Sequence, residues 1–226
     1  QRHGATGVSE YREMGYQSSA LINYLAFLGW NPGSEEEIFD LNQLVDNYNL
    51  SKVQKKSAIF DEKKLNWISS RHLLIRSNKS ILKSLMRFDV SWGDEKKQDC
   101  YLKIIELLKP RSNTLIELME KSDYFFNDPK LLDNSALIKI WKSDTSKIIN
   151  SLINTLEKIE NWESIELESN VKEFIKNNGL GLGSVLKPIR FAICGVLDGP
   201  SLFEIMEILN RNNVIRRLNK AILEFK

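Results

Sequence analysis

Between Ser146 and Ile159 the chain reads SKIINSLINTLEKI, with apolar residues at 148, 149, 152, 153, 156 and 159. Steps of three and four line one face of a helix, whereas on a strand the same residues would scatter to both faces. The same period runs through nearly all of the 226 residues, and strand-like alternation is almost absent. The chain therefore reads as all-α.

Local signals place the helices. Ser18 and Ser19 precede ALINYLAFLG, which Gly29 stops. Asp40 and Gln43 have the spacing of a capping box at the head of LNQLVDNYN, and Asp61 caps KKLNWISSRHLLI. Further helices are expected over ILKSLMRFDV, from Cys100 to an interruption at Pro110, over SKIINSLINTLEKI, over NVKEFIKNNG and over SLFEIMEILN, the last two ending at Gly179 and Asn210. Loops fall at Pro32-Gly33, Lys55–Ser57, Trp92–Asp94, Asn127–Pro129 and Asp198–Pro200. Breaks near 77 and 129 divide the chain into three helical pieces, 1–76, 77–128 and 129–226.

Several function classes are excluded by residue type. Histidine occurs only at 3 and 72, away from any cysteine at ligand spacing, so no zinc site is expected. No Ser/His/Asp or Cys/His arrangement suggests catalysis, and both histidines look unsupported. Gly179, Gly181 and Gly183 resemble a phosphate-cradling loop, but that loop follows a buried strand. What precedes Gly179 is a helix, so the glycines read as a stop and a turn. No apolar run reaches the length of about 20 residues that spans a bilayer. Cys100 and Cys194 sit in apolar stretches without CxxC spacing, which points to buried thiols in a reduced, cytoplasmic protein.

Thirty-two basic and thirty acidic residues give a net charge of +2, so nucleic-acid binding has to come from local clusters. Three are present: Arg71, Arg76, Lys79, Lys83 and Arg87; Lys103, Lys109 and Arg111; and Lys187 with Arg190. With aromatic residues interleaved, they fit RNA, which requires phosphate neutralisation and planar groups for stacking. Trp67 itself is expected in the core.

In chain order, QRHGATGVSEYREMGY, ALINYLAFLGW, EIFDLNQL, IFDEKKLNW, ELLKPRSNTL and LKPIRFAICGVLDGPSLFEIMEILN resemble the carboxy-terminal half of bacterial glutamyl-tRNA synthetases, a class I aminoacyl-tRNA synthetase family. The resemblance implies a helical stem-contact domain, preceded by the end of a catalytic loop, over 1–76. An anticodon-binding cage of two subdomains would follow, over 77–128 and 129–226. The opening residues then read as the downstream part of a longer protein. The whole enzyme would ligate glutamate to tRNA(Glu) with ATP and Mg2+ through a glutamyl-adenylate. The fragment itself would carry no catalytic residue, bind no cofactor or metal, and hold the tRNA.

The resemblance also assigns residues. Gln1 and Arg2 align with a remnant of the ATP loop, Gln1 standing where the family has a lysine, so a cation that stabilises phosphate charge is missing there. Arg111 aligns with the reader of the last anticodon base. Arg190, Pro200, Leu202 and Phe203 align with positions around the first two anticodon bases. Arg71, Arg76, Lys79 and Lys109 are expected at the tRNA backbone. Ser69–Leu74 departs from the family's usual sequence, so Arg71 or Arg76 stands in for a phosphate contact there. The expected partner is tRNA(Glu), with tRNA(Gln) left open; DNA, a membrane and an oligomer are not expected. A tRNA-binding paralogue without catalysis and a helical protein-interaction module are the alternatives.

Overall fold

A computed structural model describes residues 7–54, 59–129 and 134–225, with the side chains of 134–136 outside that description. The helices are α1 (Val8–Glu13), α2 (Ser18–Phe27), α3 (Leu41–Asn47), α4 (Glu62–Ile75), α5 (Asn78–Leu85), α6 (Gln98–Leu108), α7 (Leu115–Phe126), α8 (Asn134–Ile140), α9 (Thr145–Leu156), α10 (Ser164–Asn177), α11 (Leu182–Cys194) and α12 (Leu202–Glu224). Short 3-10 turns occupy Leu50–Lys52, Val90–Gly93, Glu95–Lys97 and Lys109–Arg111. Among the described residues the extended pairing is a single antiparallel bridge between Trp30 and Val53, so the all-α expectation holds. No described helix is long and apolar enough to cross a membrane. The chain divides into two compact units, one ending at Lys121 and the other beginning at Ser122.

In the first unit α2 packs on α4 and α3, and α5 on α6. Ala20, Leu21, Tyr24, Leu65 and Ile68 form one buried cluster; Trp30, Phe39 and Leu44 form another. Buried polar groups join these helices. The Asn23 carbonyl oxygen accepts from the Phe39 backbone N–H at 2.9 Å and lies 3.0 Å from His72 Nε2. His72 is thus a supported core residue, contrary to expectation, because its partner lies 49 positions away. Burial pushes its pKa below the ordinary value, while Asp40 acts in the other direction. The capping box at Asp40 forms in both directions with Gln43, and Asp61 accepts from the Lys64 N–H. Gly15 shows why glycine is needed after α1. Its φ is +81°, and a Cβ there would lie 2.5 Å from the Ile116 nitrogen. The approach lets the Gly15 carbonyl accept from Leu115 N–H, tying the chain to the head of α7.

In the second unit α9, α10, α11 and α12 pack on one another around Ile149, Leu152, Leu156, Val171, Val185, Ile189, Met206 and Leu218, all fully or nearly fully buried. Gly179 has φ +63° just beyond α10 and Gly181 caps α11, so the glycines are a helix stop and turn. The expected helix end at Asn210 is also present: its φ of 63° and ψ of 163° break α12 into two segments. The Asn210 side chain then accepts from Asn213 N–H, capping the second segment.

The centre of this unit is Arg217, only 4% exposed. Its Nη1 donates to the carbonyls of Tyr124 and Ile193 at 2.7 and 2.6 Å, Nη2 donates to the Asn127 carbonyl at 2.8 Å, and Nε faces Asp128 at 3.3 Å. One guanidinium thereby satisfies carbonyls near the ends of α7 and α11, groups that a helix cannot pair internally. Arg211 has a related role below α9, donating to the Ile159 carbonyl while stacking over Trp162.

Candidate nucleic-acid interface

The residues expected to touch RNA have different fates in the fold. Arg111 ends the 3-10 turn that follows α6, and its side chain is exposed. Among the described residues its guanidinium has no hydrogen-bond partner. Its backbone, by contrast, is held: the Arg111 carbonyl accepts from Lys121 Nζ, which also pairs with Glu117 Oε1 at 2.6 Å, and Glu117 Oε2 accepts from Asn113 N–H at 2.6 Å. Burial by itself would raise the Glu117 pKa. The Lys121 ammonium and the Asn113 N–H outweigh it and hold the carboxyl below its usual range. A rigid backbone carrying a free planar fork is suited to reading a base edge. Glu117 and Lys121 were not foreseen from the sequence; their i,i+4 spacing was the available signal.

Lys109 is different. Its ammonium donates to Asn78 Oδ1 at 2.9 Å and pairs with Glu106 at 3.1 Å, with 14% of the side chain exposed. It fastens α6 to the head of α5. Arg76 is likewise engaged inside the fold, bonding Gln17 through Nη1 at 3.0 Å and Ser80 and Ser84 through Nη2 at 2.9 and 2.7 Å. Arg71 is exposed and lies 5.7 Å from the centroid of the Trp67 ring, and Lys64 Nζ lies at 4.3 Å. Trp67 is 37% exposed, which corrects its assignment to the core. A cation needs the ring face for this contact, so that face cannot also be packed by aliphatic groups. Lys79 is exposed.

In the second unit Arg190 and Pro200 meet: Arg190 Nη2 donates to the Pro200 carbonyl at 2.7 Å. Arg190 Nη1 is buried and has no partner. Gly199 lies directly against it, since a Cβ there would stand 3.2 Å from Nη1. Pro200 is buried, and Leu202 and Phe203 are each 6% exposed at the start of α12. These residues gather around one loop, with the two apolar side chains turned into the core. Gln1 and Arg2 lie outside the described residues. Among the described residues no group of acidic, histidine and cysteine side chains could hold a metal ion.

Comparison with known proteins decides the family. The anticodon binding domain profile matches residues 74–222, about two thirds of the chain. The chain belongs to the anticodon binding domain family. Residues 1–67 match a second profile, that of the class I tRNA synthetase (E and Q) catalytic domain. Over 217 residues this member of the family is 36% identical to the glutamate–tRNA ligase of Flavobacterium johnsoniae, covering 96% of this chain and 43% of the relative. With that of Chloroherpeton thalassium it shares 32% identity over 233 residues, covering 98% and 46%. A crystal structure of a glutamate tRNA ligase from Elizabethkingia meningosepticum superposes with a TM-score of 0.88 at 30% identity, covering 96% of this chain and 43% of that one. The chain thus spans less than half the length of the relatives it matches.

Proposed function

We propose that the chain is the tRNA-binding half of a glutamate–tRNA ligase, holding tRNA(Glu) while a catalytic domain outside this sequence performs the chemistry. The observation that carries the reading is the anticodon binding domain match across residues 74–222. The free Arg111 fork on a clamped backbone supports it. The parts are assigned as at the outset: a stem-contact region over 1–76 and two anticodon-binding subdomains over 77–128 and 129–226. Arg111 reads the last anticodon base. Arg190 and the Gly199-Pro200 loop serve the first two, with Leu202 and Phe203 shaping that loop from below.

In the whole enzyme, ATP and Mg2+ would supply glutamate activation, and this half would supply placement. Binding energy gathered far from the reacting atoms can be used to position the acceptor end. We assign the protein to the cytoplasm as a monomer, with tRNA(Gln) as the open second partner. Of the phosphate contacts expected from sequence, Lys79 and Arg71 are retained. Lys109 and Arg76 are assigned instead to holding helices together, because their donors are already occupied.

The test is a filter-binding titration of the chain with unfractionated tRNA at several salt concentrations. Affinity should fall steeply with salt as phosphate contacts release counterions. Absence of binding, or binding indifferent to salt, would contradict the reading and favour a helical protein-interaction module.

A further inference from the structure

Among the described residues, Asn210 is the one residue other than glycine with a positive φ. Its φ of 63° and ψ of 163° lie where glycine goes freely and a residue with a Cβ is strained. Such a conformation persists only where its surroundings hold it. Here they hold it from two sides. Within α12, Asn210 Oδ1 accepts from the Asn213 N–H at 3.2 Å, and Asn213 Nδ2 donates to the Leu209 carbonyl at 3.1 Å. From the connection between α9 and α10, the Trp162 indole donates to the Met206 carbonyl at 2.8 Å, one turn before the break, and the Ser164 N–H donates to Glu207 at 2.9 Å. Arg211, just past the break, stacks over Trp162 at 5.3 Å from the ring centroid and donates to the Ile159 carbonyl.

The break separates two parts of α12 with different attachments. After it, buried Val214, Leu218 and Arg217 anchor the helix, Arg217 through the carbonyls of Tyr124, Ile193 and Asn127. Before it, Leu202–Leu209 forms a rod about 12 Å long at the helical rise. That rod begins two residues after Pro200, whose carbonyl accepts from Arg190 Nη2 at 2.7 Å. The backbone direction taken at Asn210 therefore sets where the far end of the rod, and the loop it carries, stand relative to the anchored part.

We propose that Asn210 is a positioning residue for anticodon reading: by holding the break in α12 it sets the Leu202–Leu209 rod, and through it the Arg190–Pro200 loop, for the first two anticodon bases. The proposal rests on the tRNA-binding reading and adds to it a residue that acts through the helix without touching RNA. Asparagine suits the task, being among the few residues with a Cβ that tolerate positive φ, and its carboxamide supplies the acceptor for Asn213. Alanine, the best helix former, has neither property.

The experiment measures binding of tRNA(Glu), of the same tRNA with its middle anticodon base replaced, and of the same tRNA with its last base replaced. The proteins are the unaltered chain, Asn210→Ala, Asn210→Gly and Trp162→Phe. Asn210→Ala should narrow discrimination at the middle base about tenfold, the scale of one base contact. Discrimination at the last base, which Arg111 serves in the first unit, should stay within about twofold, as expected of an independent site. Asn210→Gly, which takes the same φ without strain, should keep both. Trp162→Phe keeps a ring but loses the donor to Met206, and should narrow middle-base discrimination about threefold, the scale of one neutral hydrogen bond. If Asn210→Ala does not fold, Trp162→Phe decides. Unchanged middle-base discrimination in the deciding variant, or an equal loss at both bases, overturns the proposal and leaves the break a packing feature alone. So does a loss in Asn210→Gly that matches the loss in Asn210→Ala. If the unaltered chain discriminates at neither base, the tRNA reading itself fails.

Discussion

The two units use arginine in opposite ways. In the second, Arg217 is buried and its donors are taken by three carbonyls and Asp128, Arg211 closes the end of α9, and Arg190 holds Pro200. Among the described residues of the first, Arg12, Arg71, Arg87 and Arg111 are exposed and Arg76 is turned inward. The residue type is the same, but its role depends on whether nearby helix ends leave carbonyls unpaired. Where they do, the guanidinium becomes part of the fold; where they do not, it stays available to a ligand. Removing an engaged cation such as Arg217 should therefore change stability, and removing an exposed one such as Lys79 or Arg111 should change RNA binding.

The largest effect is expected from Arg217→Met. The variant keeps much of the side-chain volume but leaves the carbonyls of Tyr124, Ile193 and Asn127 buried without donors. Each buried unpaired group costs about 1 to 3 kcal/mol. A loss of about 3 kcal/mol or more is expected in urea unfolding followed by circular dichroism. Lys79→Ala and Lys83→Ala, at exposed positions, should stay within about 0.5 kcal/mol of the unaltered chain. Equal losses in both sets would break the comparison.

A smaller effect follows from Asp128, which Arg216 holds through two hydrogen bonds of 2.6 Å, with Arg217 and Lys220 nearby. These donors, Arg216 foremost, lower its pKa from 3.8 to about 2. A folded-state pKa below the unfolded one means that the contribution is complete above pH 4 and is lost as pH falls from 4 toward 2. Thermal melts between pH 5 and 2 should show a decline in this window that Asp128→Asn makes shallower. Parallel declines in the two proteins would mean that the pairing contributes nothing.

Much of the fold was legible because its signals were local. The capping box at Asp40 and Gln43, the Asp61 cap and the stop at Asn210 each depend on residues within a few positions of one another. Helices α1, α7, α8 and α11 and the part of α12 after Asn210 were not foreseen. α11 carries Pro188 in its interior, normally a breaker. The segment after Asn210 is rich in asparagine and arginine, which obscures an apolar stripe of Val214, Leu218, Ala221 and Phe225 that the fold buries. In the candidate interface, the basic clusters could be seen as charges along the chain, but which of them were free could not. Arg76 and Lys109 are occupied by Gln17 and Asn78, 59 and 31 positions away. Arg12 and Lys79, 67 positions apart, line one cleft only once the chain is folded. Trp67 has the apolar character of a core residue, and only the placement of Lys64 and Arg71 over its ring shows that it faces outward.

The central claim is that this chain reads an anticodon through Arg111, and the most direct measurement is discrimination at the last anticodon base. Binding of tRNA(Glu), which has cytosine there, is compared with binding of the same tRNA carrying guanine, for the unaltered chain and for Arg111→Gln. Glutamine keeps one donor and one acceptor but loses the charged fork, and a bidentate base contact is worth roughly 1 to 3 kcal/mol of discrimination. The account predicts that the unaltered chain prefers cytosine and that Arg111→Gln narrows the preference about tenfold or more, while Lys79→Ala weakens both tRNAs alike. Equal weakening of both tRNAs by Arg111→Gln would contradict it, showing that the arginine holds backbone and does not read the base.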